Sequence, residues 1–183
     1  MRVRSASFSV GVPVFSVCLS FLAPLAAAYE LGPEQIVQAG GTNITVPGYS
    51  VPSFINWNDD GLCDLVVGEG GNGYTGKVRI YPNDGSVAAP HFTSFFYAQS
   101  LGADLTVPPV GCLGAYPRLI QRGADHRKDL LVGQADGRVK LFVNTGSNAN
   151  PTFDGGAFLQ VGQPGSKVDI NVSGRATPNW LDW

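Results

Sequence analysis

The loop at residues 56–64 carries the residues of this chain that are best suited to bind a metal ion. Its sequence, Asn-Trp-Asn-Asp-Asp-Gly-Leu-Cys-Asp, places oxygen-bearing side chains at the alternate positions 56, 58 and 60, followed by a glycine and an aspartate. Calcium takes about six to eight hard oxygen ligands, and this spacing is typical of calcium loops. We predict a Ca²⁺ site formed by the side chains of Asn56, Asn58, Asp60 and Asp64 and the backbone carbonyl of Leu62.

An EF-hand is a poor interpretation of this loop. An EF-hand has a bidentate glutamate at the twelfth loop position, which here is Val67 within an apolar run, and no helical pattern flanks the loop. Only Asp60 and Asp64 would bring full charges to the metal, so we expect a moderate affinity suited to extracellular calcium. The alternative is a turn without metal, because Asn and Asp favour turns by themselves.

The residues around this loop recur along the chain. The segment Asp-Leu-Val-Val-Gly at residues 64–68 returns as Asp-Leu-Leu-Val-Gly at 129–133, and residues 78–83 return at 139–144. An apolar motif also recurs at residues 44–46, 105–107 and 170–172. A period of about 60 residues with several short strands predicts β-propeller blades or a related β array. We place the units at residues 44–92, 105–153 and 170–183, the last being incomplete.

The corresponding loop of the second unit is degraded. Its equivalent positions are Gln121, Gly123, Asp125, Arg127 and Asp129. Glycine supplies no side-chain ligand, and Arg127 with Lys128 adds positive charge, so we predict no calcium there. Asp125 is expected to pair with Arg127 or Lys128 instead. We interpret the basic cluster of Arg122, Arg127 and Lys128 as a solvated loop.

The remaining pattern predicts an all-β chain of four-stranded antiparallel sheets. The 183 residues include 24 glycines and 13 prolines, and no long 3.6-residue apolar period is present. Residues 129–144 form the clearest hairpin, with Asp136 and Gly137 as a tight turn, since both residues can take positive φ. In its second strand Val139, Leu141 and Val143 alternate with Lys140 and Phe142, which predicts one buried face.

These motifs resemble a known family. Residues 56–68, Asn-x-Asn-x-Asp-Gly-x-x-Asp-Leu-Val-Val-Gly, and residues 76–85, Gly-Lys-Val-Arg-Ile-Tyr-x-Asn-x-Gly, are similar to the FG-GAP/VCBS repeats of bacterial exported proteins. The resemblance covers about residues 44–183. It is closer to the VCBS branch, because the Phe-Gly-x-x-Gly-Ala-Pro string is absent. The resemblance implies a seven-bladed propeller like that of integrin α-subunits in a full-length relative, calcium in the blades, and a role in adhesion or ligand binding.

The start of the chain is typical of a targeting signal. Arg2 and Arg4 precede an apolar stretch at about residues 10–25, and three alanines at 26–28 form a small-residue cleavage site. We predict a signal peptide at residues 1–28 and a mature repeat region at 29–183. A membrane anchor is the alternative, but the apolar core is short and two prolines break it. The mature chain is expected to be secreted, at the cell surface or periplasmic, without membrane insertion.

Charge and cysteine content limit the partners and the redox state. All 14 acidic residues but only ten of the 12 basic ones follow residue 28, a formal charge of about −4 (10 − 14). This balance argues against a nucleic acid or an anionic membrane as partner. The mature chain keeps Cys63 and Cys112, which form either one disulfide or two free thiols.

No catalytic constellation is visible, so we predict a protein without enzymatic activity. His91 and His126 fit surface or packing roles, and no nucleophile elbow, phosphate loop or zinc motif occurs. The favoured function is an exported calcium-binding module for an extracellular protein or glycan. The alternatives are the N-terminal scaffold of a larger secreted carbohydrate-active or phosphoester-cleaving enzyme, and a truncated product without a function of its own. Four aromatic residues either form a sugar-stacking surface or pack between blades: Tyr74, Phe95, Phe96 and Tyr97.

The third calcium motif begins at Asp182 and stops at Trp183. A metal loop divided in this way suggests that the chain is a fragment of a longer propeller. The alternative is that several copies assemble into a ring. Further blades or self-association would then close the propeller.

Overall fold

A computed structural model describes residues 32–108 and 113–180. The chain divides into two compact units, Met1–Glu34 and Gln35–Trp183. Of the first unit only residues 32–34 are described; they are exposed and have no regular structure. The predicted signal peptide and Cys112 therefore lie outside the described residues. Within the described parts of the chain, no helix is long and apolar enough to cross a membrane.

The second unit is all-β, as the sequence predicts. Its described residues form 15 short strands and no helix. In chain order the strands are β1 (Gln38–Ala39), β2 (Thr42–Asn43), β3 (Val51–Ile55), β4 (Asp64–Gly71), β5 (Tyr74–Tyr81), β6 (Phe96–Tyr97), β7 (Gln99–Ser100), β8 (Ala103–Asp104), β9 (Thr106–Val107), β10 (Tyr116–Gln121), β11 (Lys128–Gly133), β12 (Val139–Phe142), β13 (Ala157–Phe158), β14 (Gln160–Val161) and β15 (Val168–Asp169).

Two larger antiparallel sheets organise this unit. The first has the order β3-β4-β5-β6, and β9 also pairs with the start of β5. The second has the order β10-β11-β12-β13. Three two-stranded hairpins, β1–β2, β7–β8 and β14–β15, lie outside these ladders. Both larger sheets place consecutive strands side by side, so each is a simple meander.

The main hydrophobic core lies between the two larger sheets. Val66, Val78 and Ile80 of the first sheet share one buried cluster with Leu130, Val132 and Phe142 of the second. Two smaller clusters cover the opposite faces. In one, Leu65 and Val67 pack against residues 35–46, which we call the N-terminal segment. In the other, Leu131 and Val139 pack against Ala176. The central strands β4 and β11 are therefore buried on both faces, which explains why their sequences are continuously apolar.

The structure adds two details to the predicted hairpin at residues 129–144, one at its turn and one at Phe142. Only Gly137 has a positive φ, of 89°. Asp136 instead accepts a hydrogen bond from the Arg138 N–H through its side chain, at 3.0 Å. Phe142 is only 2% exposed although it lies opposite the face that we expected to be buried. The reason is that the first sheet packs on that side of β12.

The three small hairpins share one side-chain hydrogen bond. In each, a glutamine Nε2 donates to the side-chain oxygen of an Asn or Asp residue on the paired strand. The three pairs are Gln38 with Asn43 at 2.9 Å, Gln99 with Asp104 at 2.7 Å, and Gln160 with Asp169 at 3.0 Å. Each hairpin directly precedes one of the recurring apolar motifs at residues 44–46, 105–107 and 170–172.

Candidate metal centre

The predicted calcium loop joins β3 to β4 and is built from successive turns. Asn58 Oδ1 accepts a hydrogen bond from the Asp60 N–H at 3.2 Å, and Asp60 Oδ1 accepts one from the Leu62 N–H at 2.8 Å. Asn58 Nδ2 also donates to Asp60 Oδ2 at 2.9 Å. Gly61 has a φ of 87°, which a glycine adopts without steric cost. The structure thus brings together Asn58, Asp60 and Leu62.

Asp64 lies at the end of the loop and is 1% exposed. Its Oδ2 accepts a hydrogen bond from the Trp57 N–H at 2.7 Å, and its Oδ1 accepts one from the Asn83 N–H at 2.8 Å. The carboxylate therefore ties the start of the loop to the residues that follow β5. An ionised carboxylate offers about four lone-pair positions, so two remain for a cation.

Asn56 supplies an observation that favours a cation. Its Oδ1 is buried and has no hydrogen-bond partner among the described residues. Leaving a buried acceptor unpaired costs about 1–3 kcal/mol. A cation bound next to this oxygen would supply the missing partner.

Lys128 places a positive charge beside the same loop. Its Nζ donates to the Asn56 carbonyl oxygen at 2.7 Å and forms an ion pair with Asp59. The hydrogen bond from Lys128 lowers the pKa of Asp59 below its usual value. Asp59 is therefore directed to the lysine, and the ammonium group opposes a cation in the loop. Lys128 starts β11, so it also connects the two larger sheets.

In the degraded second loop Asp125 pairs with Arg127, as predicted, and a further arginine pairs with Asp129. Arg127 Nε lies 3.9 Å from Asp125 Oδ2, a long contact, and Lys128 pairs with Asp59. Arg122 Nε instead lies 2.7 Å from Oδ2 of the buried Asp129. Arg122 corresponds in sequence to Trp57. Its Nε contacts Oδ2 of Asp129, the equivalent of the Asp64 oxygen that accepts from the Trp57 N–H in the first loop. The interpretation of this cluster as a solvated loop holds for the exposed Arg122 and Arg127 and is wrong for Lys128, which is half-buried at the start of β11.

The carboxylates alone do not make a metal cluster. Across residues 32–108 and 113–180, the structure has no group of three or more His, Cys, Asp or Glu side chains arranged to hold a metal. A calcium ion in the first loop would depend on amide and carbonyl oxygens for most of its ligands. Cys63 is exposed and forms no disulfide with any of the described residues. A bridge to Cys112 stays a prediction, because Cys112 lies outside the described residues.

A cavity of about 380 Å³ borders the loop between the two larger sheets. It is lined by Trp57, Asn58 and Asp64 of the first loop, by Phe96, and by residues 149–152 of the second sequence repeat. Trp57 is 3% exposed and makes an edge contact with Phe153, with ring centroids 5.8 Å apart. Its ring therefore packs in the core, and Phe96, 44% exposed, is the accessible aromatic group at this cavity.

Among the described residues, no hydrogen bond or ion pair joins Tyr74, Phe95, Tyr97 or either histidine to a predicted ligand. Tyr74 and Phe95 are exposed, whereas Tyr97 is half-buried and donates to Glu69 Oε1 at 3.1 Å. Both histidines are exposed. His91 pairs with Asp84, whose pKa is lowered by hydrogen bonds from Thr93 and His91.

No protein-family model, curated protein or solved structure matches this chain. Its function must therefore be argued from the loop, the cavity beside it and the sheets that position them.

Proposed function

We propose that this chain is an exported calcium-binding module of the FG-GAP/VCBS type, which binds an extracellular protein or glycan without catalysing a reaction. The observation that carries the proposal is the buried Oδ1 of Asn56, which has no hydrogen-bond partner among the described residues and lies in a loop rich in oxygen-bearing side chains. The buried and unpaired Oδ1 of Asn56 shares this loop with the turn-ordered oxygens of Asn58 and Asp60. Calcium would hold the loop closed and stiffen the region between the sheets.

The matched geometry of the two larger sheets supports their interpretation as propeller blades. Oδ1 of Asp64 accepts from the Asn83 N–H, and Oδ1 of Asp129 accepts from the Asn144 N–H, both at 2.8 Å. The two asparagines also order their exit turns alike, since each accepts from the N–H two residues later. Sheets of this kind bury their faces by stacking on neighbours, as blades do.

The cavity beside the loop supports a ligand-binding role. Its lining combines the exposed ring of Phe96 with polar groups from Asn58, Asn150 and Thr152. Such a mixture suits a sugar or a peptide, which presents both apolar and hydrogen-bonding surface. Because Asn58 belongs to both the cavity and the calcium loop, calcium would also fix one wall of the cavity.

Calcium is expected to raise the melting temperature of the chain through this loop. At a free concentration of about 100 times Kd, a bound ion adds about 2.7 kcal/mol, or roughly 5–10 °C for a domain of this size. Thermal unfolding with and without calcium measures the effect. Asp60→Ala should abolish the shift, because it removes a charged ligand on the exposed side of the loop.

Asp125→Ala is the matched control, since Asp125 occupies the equivalent position in the degraded loop. This variant should keep the full calcium response. A shift that survives in Asp60→Ala would place the metal elsewhere and contradict the assigned ligand set. The absence of any shift in the unmodified chain would contradict the calcium site itself.

Lys128→Met is expected to increase the calcium affinity of the loop. The substitution removes an ammonium group that contacts the Asn56 carbonyl, and it leaves the Asp59 carboxylate without its ion-pair partner. Removing one like charge near a surface site is worth about 1 kcal/mol, or about fivefold in Kd. Isothermal titration with calcium measures it, and Arg127→Met serves as the control. An unchanged Kd in Lys128→Met would show that the ion does not bind beside Asn56.

A further inference from the structure

An open apolar groove lies on the face of the first sheet that points away from the second. It has a volume of about 470 Å³. Ile36, Val37 and Val46 of the N-terminal segment form one wall, and Phe54, Leu65 and Val67 of the sheet form the floor. We call this feature the N-terminal groove. It lies apart from the calcium loop and is lined by none of the predicted ligands.

The N-terminal segment packs on the first sheet as residues 96–107 pack on the second. The Gly40 N–H donates to the Phe92 carbonyl at 2.9 Å, and at the equivalent positions the Leu101 N–H donates to the Phe153 carbonyl at 2.9 Å. Within the segments the same closing hydrogen bond recurs, from Ile44 to Val37 and from Leu105 to Ala98. Residues 35–37 therefore correspond to β6 and Ala98, and residues 45–46 correspond to β9.

One strand is missing beside the N-terminal segment. In the first sheet β6 and β9 both pair with β5, and the Ala98 N–H donates to the Val78 carbonyl at 2.9 Å. In the second sheet the Leu159 N–H donates to the Val139 carbonyl at 2.9 Å in the same way. The corresponding N–H of Val37 has no acceptor among the described residues. An unpaired strand edge of this kind can pair with a further strand.

The apolar side chains of the groove lack the cover that their equivalents have. Val37 is 41% exposed whereas Ala98 is 1% exposed, and Val46 is half-buried whereas Val107 is 1% exposed. Phe54 is also 58% exposed. The exposed apolar floor therefore coincides with the unpaired N–H of Val37, which fits an added strand. At the other end of the edge, the Thr45 carbonyl accepts a hydrogen bond from Arg79 Nη1 at 3.2 Å.

We propose that the N-terminal groove binds an extended segment of a partner protein by β-strand addition. The segment pairs antiparallel with residues 35–37 and 45–46 in the register of β5, and it places small aliphatic side chains at alternate positions over Leu65 and Val67. Main-chain hydrogen bonds supply affinity in this mode of recognition, and the alternate side chains supply specificity.

In a folded second copy of the chain, the two strands that hold the equivalent place, β5 and β12, are not free. Among the described residues, β5 is paired with β4 on one edge and with β6 and β9 on the other. In the same way β12 lies between β11 and β13. The occupant is therefore a segment that is extended or unpaired before it binds. This site goes beyond the proposed calcium function and does not require the metal.

A peptide with the sequence of residues 74–83 is the direct probe, because it carries Val78 and Ile80 in the arrangement of β5. Fluorescence anisotropy of the labelled peptide, titrated with the purified chain in EDTA, should show saturable binding. Val37→Glu should weaken binding about tenfold or more, since it places a charge on the apolar wall. Val87→Glu is the control, because Val87 is 78% exposed and does not line the groove. Circular dichroism checks that both variants fold.

Peptides methylated on alternate backbone nitrogens separate strand pairing from simple apolar contact. Only one edge of the bound strand faces residues 35–37. Methylation of the nitrogens on that edge should abolish binding, and methylation of the nitrogens on the opposite edge should preserve it. The proposal is overturned if the unmodified peptide does not bind, if Val37→Glu binds it with unchanged affinity, or if the two methylated peptides bind equally well. Sedimentation of the chain alone should show a monomer, and dimers that Val37→Glu dissociates would assign the groove to a second copy instead.

Discussion

Asp64→Ala is expected to lower the free energy of unfolding by about 3–5 kcal/mol, even without calcium. The buried carboxylate accepts hydrogen bonds from the backbone of Trp57 and Asn83. Alanine leaves both buried donors unpaired, and each unpaired group costs about 1–3 kcal/mol. It also releases the loop from the residues after β5. Urea-induced unfolding in EDTA, followed by circular dichroism, measures the loss.

Asp60→Ala is the matched comparison in the same loop. Asp60 is exposed, and its hydrogen bonds stay within the loop, so the metal-free chain should lose less than about 1 kcal/mol. Asp64→Asn should fall between the two, because it keeps one acceptor oxygen of the side chain. Equal losses in Asp60→Ala and Asp64→Ala would contradict a separate structural role for Asp64.

The sequence predicted Asp64 as a metal ligand but did not predict its hydrogen bonds to the backbone of Trp57 and Asn83. Residue types and alternate spacing identify which oxygens can reach a metal. They do not show that Asn83, 19 residues further along the chain, uses the same carboxylate. Lys128 illustrates the same limit, because it contacts the carbonyl of Asn56 at a separation of 72 residues. Such contacts depend on how the sheets stack, which a local pattern does not encode.

The fold was predictable where the sequence recurs and less so elsewhere. The continuous apolar runs at residues 64–68 and 129–133 lie in central strands that are covered on both faces. The alternation rule failed at Phe142, because it assumes that one face of a strand meets solvent. The hairpin of β1 and β2 was not predicted. Its strands are two residues long and have no apolar pattern of their own.

Gly68→Ala is expected to destabilise the chain by about 3 kcal/mol through a clash between the sheets. A Cβ atom at Gly68 would lie 2.1 Å from the Ala115 carbonyl oxygen and 2.5 Å from Pro117 Cδ. Gly133 has the same surroundings, with a Cβ position 1.9 Å from the Ala176 carbonyl oxygen and 2.5 Å from Pro178 Cδ. Backbone cannot rotate away as a side chain can, so the strands must separate. Overpacking of this kind costs about 1–3 kcal/mol, and more where backbone must shift.

Gly155→Ala separates this clash from the general effect of replacing glycine. Its Cβ atom would meet only Leu101 Cδ1, at 3.3 Å, and that side chain is exposed and free to move. Gly155→Ala should therefore change the free energy of unfolding by less than about 1 kcal/mol. Thermal and urea unfolding of Gly68→Ala, Gly133→Ala and Gly155→Ala test the comparison. If Gly68→Ala matches Gly155→Ala, the sheets do not pack as closely as described. A loss in Gly133→Ala as large as in Gly68→Ala would show that residues 176–178 pack on the second sheet as firmly as residues 115–117 pack on the first.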